Sequence, residues 1–245
     1  MRFLAVFILA CSLLAARPSA AEELTPQLDD LVRHFGQVLF GDEYGLNTSS
    51  KVVSKWQTET VGISVQGRKT DKLINIAARH VRGLTQLTGL KFKTVRPGSP
   101  QANIDLFFMK RAEMPQLAQA LPAEYRGALR VLTGDPTMVC FFMVWHEPPE
   151  RIIKAIVVVN VERDPVMIDS CLLEELTQVM GLPNDVDAYW PTMFKPIDTS
   201  LEWSKWDRLY LKTLYDPRVK PGMKPVDALY VAKGIFAKAL AEHTK

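Results

Sequence analysis

The stretch Asp169-Ser170-Cys171-Leu172-Leu173-Glu174-Glu175-Leu176-Thr177-Gln178-Val179-Met180-Gly181-Leu182-Pro183-Asn184-Asp185 decides how the rest of this 245-residue chain is read. Leu172, Leu173, Leu176, Val179 and Met180 recur at helical spacing, which predicts a helix with one buried face. Asp169 and Ser170 offer oxygens to the N–H groups of a first turn, so the helix is expected to start there. Gly181 can take the left-handed conformation that ends a helix, and Pro183 blocks its continuation. Glu174 and Gln178, four residues apart, share another face, with Glu175 beside them. Such a face is commonly just solvated. Here Asn184 and Asp185 follow at once, which makes the group a candidate site.

The spacing is similar to the zinc-peptidase pattern H-E-x-x-H-x-x-G-x-x-H. Glu174 stands at the first His, Glu175 at the Glu, Gln178 at the second His, Gly181 at the Gly and Asn184 at the third ligand. On that alignment Glu175 is the candidate general base, while Glu174, Gln178, Asn184 and Asp185 are candidate binding residues. Zinc prefers imidazole and thiolate, and a neutral amide holds it poorly, so no zinc is expected. Oxygen donors of this kind suit a hard ion such as calcium. His146 is the one imidazole that the preceding strand could bring near the helix, and one imidazole does not replace three.

Upstream, Thr60-Val61-Gly62-Ile63-Ser64-Val65 alternates as a strand. Thr70 caps a long helix that ends at Gly89, with His80 off its apolar stripe and expected at the surface. Strands follow at 90–95, 102–109, 137–145 and 152–161. The last is almost continuously apolar, as in a strand covered on both faces. A helix over 24–40 precedes these elements and a short one over 115–121 interrupts them. Helices over 203–215 and 225–242 close the chain. Trp190, Trp203 and Trp206 fit either a packed core or an aromatic-lined groove for a peptide or glycan. Trp190 is therefore kept among the binding candidates.

Residues 1–21 read as a signal peptide: Arg2, an apolar run from Phe3 to Ala16, and small residues ending at Ala21. A lipidated Cys11 or an uncleaved anchor is the alternative. Residues 22–245 then form a single α/β domain without a transmembrane segment, placed in the periplasm or secreted. Cys140 and Cys171 remain after processing and are expected to form a disulfide, the alternative being two free thiols. Closing about thirty residues would contribute roughly 3–4 kcal/mol. The chain carries 30 Lys+Arg against 27 Asp+Glu, nearly balanced once Arg2 and Arg17 leave with the leader. With no basic stripe and no glycine-rich phosphate loop, nucleic acid is not an expected partner.

The order of strands and helices around the 169–185 stretch is similar to metzincin-like peptidases. Within that clan the chain resembles a family of secreted bacterial proteins, domain of unknown function 2927. Residues 170–185 carry the resemblance, together with Asp207 and Leu214-Tyr215-Asp216-Pro217-Arg218-Val219-Lys220-Pro221-Gly222-Met223. The family has Glu-Glu-x-x-Gln as its own pattern. The segment Trp190-Pro191-Thr192-Met193-Phe194 departs from the Ser-containing loop expected there. The resemblance implies a mixed sheet with a backing helix, the signature helix and added C-terminal helices. It also implies a degenerate peptidase, an exported binding module for a peptide or cell-envelope component. The alternatives are a hydrolase using Glu175 with a non-zinc ion or water, and a structural envelope protein.

Overall fold

The computed structural model describes residues 25–41, 51–120, 130, 133–196 and 199–243; the leader, with Cys11 and the expected cleavage point, lies outside the described residues. Among them are helices α1 (Leu28–Phe40), α2 (Asp71–Thr88), α3 (Met114–Ala120), α4 (Pro165–Gln178), α5 (Lys205–Leu214) and α6 (Pro225–His243). Strands β1 (Lys55–Trp56), β2 (Thr60–Gly67), β3 (Lys91–Thr94), β4 (Ile104–Met109), β5 (Cys140–Glu147) and β6 (Arg151–Asn160) form one sheet. The fold is α/β, and the sheet is mostly parallel.

β6 is its hub. It pairs in parallel with β4 and with the two-residue β1, and antiparallel with β5. β4 pairs with β2, and β2 with β3. The apolar run of β6 finds cover on both faces, as its sequence requires. Ala155, Val157 and Val159 join the main core, while Ile156 and Val158 join a smaller cluster with Phe141, Met143 and Met114. α2 and α4 pack together, and α4 also lies against β5 and β6.

Local signals explain most element ends. Thr70 accepts from the Leu73 N–H, and Gly89 turns left-handed after α2. Ser204 and Asp207 form a capping box that starts α5. The start of α4 differs from expectation. Asp164 caps it, accepting from the Val166 N–H, and Pro165 takes the first turn. Asp169 therefore sits inside the helix, where Arg79 and His80 from α2 donate to its carboxylate, His80 Nε2 at 2.8 Å. His80 is correspondingly buried, not solvated, with Trp203 edge-on to its ring. Burial holds its imidazole pKa below the usual value against the opposing Asp169 hydrogen bond. Among the described residues no helix is long and apolar enough to cross a membrane.

Candidate functional site

α4 carries the candidate residues, and its C-terminal turn is held from three directions. Trp56 Nε1 donates to the Val179 carbonyl at 2.8 Å, and the Tyr215 hydroxyl to the Met180 carbonyl at 2.9 Å. Gly181 has φ +112°, and a Cβ there would meet the Ser54 carbonyl oxygen at 2.0 Å. Only glycine fits this close approach of two backbones.

The 214–223 motif acts one step behind. Lys55 Nζ donates to the Leu214 carbonyl at 2.8 Å and also to the Val219 carbonyl. Val53 exchanges backbone hydrogen bonds with Gly222 and Met223. Burial pushes the Lys55 ammonium pKa down to about 8. The motif thus fixes residues 53–56, and these grip the end of α4.

A cleft of about 530 Å³ opens beside α4. Asp135 and Thr137 to Cys140 form one wall, leading into β5. Met167, Cys171, Glu174 and Glu175 form the wall from α4, and Asn184, Asp185, Pro196 and Thr199 complete the lining. Cys140 and Cys171 are disulfide-bonded with Cα atoms 6.2 Å apart, fastening the first residue of β5 to α4. The disulfide belongs to the cleft wall.

Glu175 is buried, and a carboxylate oxygen lies within 4.8 Å of both cysteine sulfurs. Glu174 is half-buried. Gln178 is buried, and its Nε2 donates to Asp185 Oδ1 at 3.1 Å. Asn184 Nδ2 donates to the Gln37 carbonyl at 3.1 Å, tying the loop to α1. Glu174, Glu175, Asn184 and Asp185 therefore meet at one cleft, with Gln178 bonded to Asp185 behind it.

His146 and Trp190 are not brought there. His146 lies six residues along β5 from Cys140, about 20 Å at strand rise, opposite Ile152 beyond a register shift. Trp190 is buried against His34 and Tyr189, with ring centroids 5.0 and 4.8 Å away. It borders a separate cavity of about 220 Å³ between α1 and residues 187–190. Trp203 and Trp206 are core residues as well.

One wall of the cleft was not anticipated, and Asp207 of the downstream motif takes a structural role. Asp135 and Thr137 to Val139 carry no chemical motif, and only their position ahead of Cys140 points to them. Asp207 is fully buried and anchors the 190–194 segment. It accepts from the Thr192 hydroxyl at 2.6 Å, the Met193 N–H at 3.2 Å and the Ser204 N–H at 2.8 Å. Burial raises its carboxyl pKa to about 6, against the lowering effect of those bonds. The Ser204-x-x-Asp207 capping box was its sequence signal.

No curated protein matches the chain. A family profile does, over residues 29–233, which include both motifs, the disulfide and the cleft lining: the chain belongs to the family described as "Protein of unknown function (DUF2927)".

Proposed function

We propose that the protein is an exported, non-catalytic binding module that receives an extended peptide segment in the cleft beside α4. The observation that carries this reading is the position of the cleft at the start of β5. In the sheet β5 pairs with β6 alone among the described residues, and the cleft lies between the segment leading into β5 and α4. A groove walled by the segment entering an edge strand suits an extended peptide laid along it, with side chains dropping into the groove.

The likeness to metzincin-like peptidases supports the same place for a ligand, and the chain departs from them at the metal. Glu174 and Gln178 occupy the imidazole positions, and the Gln178 amide is engaged with Asp185. A hydrolytic reading needs Glu175 to take a proton from water beside a reacting carbonyl. Its carboxylate instead lies close to the disulfide. The cysteine pair, which persists where the surroundings are oxidising, supports export.

The test is selection from a random heptapeptide library, followed by anisotropy with the selected peptides. Thr137→Trp fills the cleft from an exposed position and is expected to weaken binding at least tenfold. Binding unaffected by Thr137→Trp overturns the reading. So does hydrolysis of any peptide by the native chain that is lost in folded Glu175→Gln.

A further inference from the structure

The disulfide and Glu175 together have a composition that neither has alone. One oxygen and two sulfurs, from Glu175, Cys140 and Cys171, all lie within 4.8 Å of one another. They come from two elements, the start of β5 and the second and third turns of α4. All three residues also line the cleft. While the sulfurs are bonded to each other they cannot serve as thiolate ligands.

We infer that Cys140, Cys171 and Glu175 form a redox-gated site for a thiophilic divalent cation of the zinc class, closed by the disulfide and opened by its reduction. Opening takes two electrons and two protons from a dithiol, which is itself left as a disulfide, and yields two thiols. The cation then displaces both thiol protons and binds two thiolates and one carboxylate.

The geometry is within reach of side-chain rotation. Around a tetrahedral zinc with Zn–S near 2.3 Å and Zn–O near 2.1 Å, the sulfurs stand about 3.8 Å apart and each sulfur–oxygen pair about 3.6 Å. The cysteine Cα atoms, 6.2 Å apart, can stay in place while the two sulfurs swing from bonding distance to that separation. Two thiolates make the site soft and select zinc over calcium or magnesium. Three protein ligands leave the fourth position to the cleft, where Glu174 and Asp185 also lie. The site is distinct from the degenerate imidazole positions: it uses Glu175 as a ligand and neither Glu174 nor Gln178. It does not depend on whether the cleft holds a peptide.

The test uses Co²⁺ as probe on the full chain, with and without prior reduction by a phosphine that is removed under anaerobic conditions. The reduced chain should take up one equivalent and develop thiolate-to-cobalt charge-transfer absorption in the near ultraviolet, with tetrahedral bands in the visible. The oxidised chain should show neither. Glu175→Gln keeps both thiols and should weaken Co²⁺ binding at least tenfold, and near-ultraviolet circular dichroism reports whether each form stays folded. A folded reduced chain without the charge-transfer band overturns the inference. So does a reduced chain that has lost its tertiary signal, or binding that is equally tight in folded Glu175→Gln.

Discussion

Replacing Gly181 by alanine tests the physical logic of the site more directly than any change in the cleft. The added Cβ would lie 2.0 Å from the Ser54 carbonyl oxygen, more than 1 Å inside an ordinary carbon–oxygen contact. The obstacle is backbone, so no rotamer change relieves it. At φ +112° an alanine is strained even in open space, by about 1–3 kcal/mol. To relieve the clash the 179–181 turn must withdraw from residues 54–56. The Trp56–Val179 and Tyr215–Met180 hydrogen bonds would then lengthen or break, at about 1 kcal/mol each. The sum is about 3–5 kcal/mol. With a urea m-value of about 3 kcal/mol/M, the midpoint should fall by about 1–1.7 M, followed by tryptophan fluorescence. The m-value itself should not change. A loss under about 1 kcal/mol would show that the turn relaxes freely, and it would refute the claim that residues 53–56 hold the end of α4.

Four further outcomes are expected. The Cys140→Ser/Cys171→Ser double variant should lose about 3–4 kcal/mol in urea unfolding, from the loop the disulfide closes across 31 residues of separation. Glu175→Ala should destabilise by about 1–2 kcal/mol more than Glu174→Ala in the same assay, because Glu175 is buried and Glu174 half-exposed. Asp207, with its folded pKa raised to about 6, adds stability at low pH that is lost as pH rises from about 4 through 6, about 3 kcal/mol in all. Burial lowers the His34 pKa to about 4, so its contribution runs the opposite way, lost as pH falls from about 6.5 to 4. The difference between wild type and Asp207→Asn isolates the Asp207 slope, and a pH-independent difference over pH 4–7 would refute it. Protein purified without reductant and dialysed should hold less than about 0.1 equivalent of zinc by elemental analysis, since the thiolates are then tied up and the remaining donors are poor zinc ligands. One retained equivalent contradicts this.

Much of the fold was legible because its elements obey local rules. β2 alternates, α2 has Thr70 and Gly89 at its ends, and β6 is apolar on both faces, so period and cap were enough. The start of α4 lies earlier than Asp169 suggests: Asp169 resembles a cap, but Asp164 and Pro165, five residues before it, supply the real start signal. What occupies Asp169 is a tertiary partnership with His80 and Arg79, about ninety residues away in sequence. The same partnership overrides the helical pattern that would leave His80 in solvent. β1 escaped notice because two residues have no period, and it exists through its pairing with β6 and the grip of Lys55 and Trp56 on distant carbonyls. The cysteine pair and the four cleft residues of 174–185 were readable from spacing. The opposite wall, residues 135–139, was not, since backbone placement rather than side-chain type puts it there.

Gln178 and Asn184 have structural work that histidines could not take over unchanged. Gln178 gives Asp185 a donated hydrogen bond from a buried amide, and Asn184 gives one to Gln37 in α1. Asp185 is half-buried, and losing this donor would remove one hydrogen bond from its carboxylate, worth about 1 kcal/mol. Restoring histidine at 178 alone would thus disturb the Asp185 loop before it created a ligand, and histidine at 184 would release the loop from α1. Gln178 and Asn184 together tie the end of α4 and the following loop to each other and to α1. Glu175 lies on the same cleft with a carboxylate oxygen within 4.8 Å of both cysteine sulfurs. Gln178 and Asp185 therefore hold the end of α4 to the loop at the cleft, while Glu175 shares the cleft wall with a cysteine pair that can change redox state.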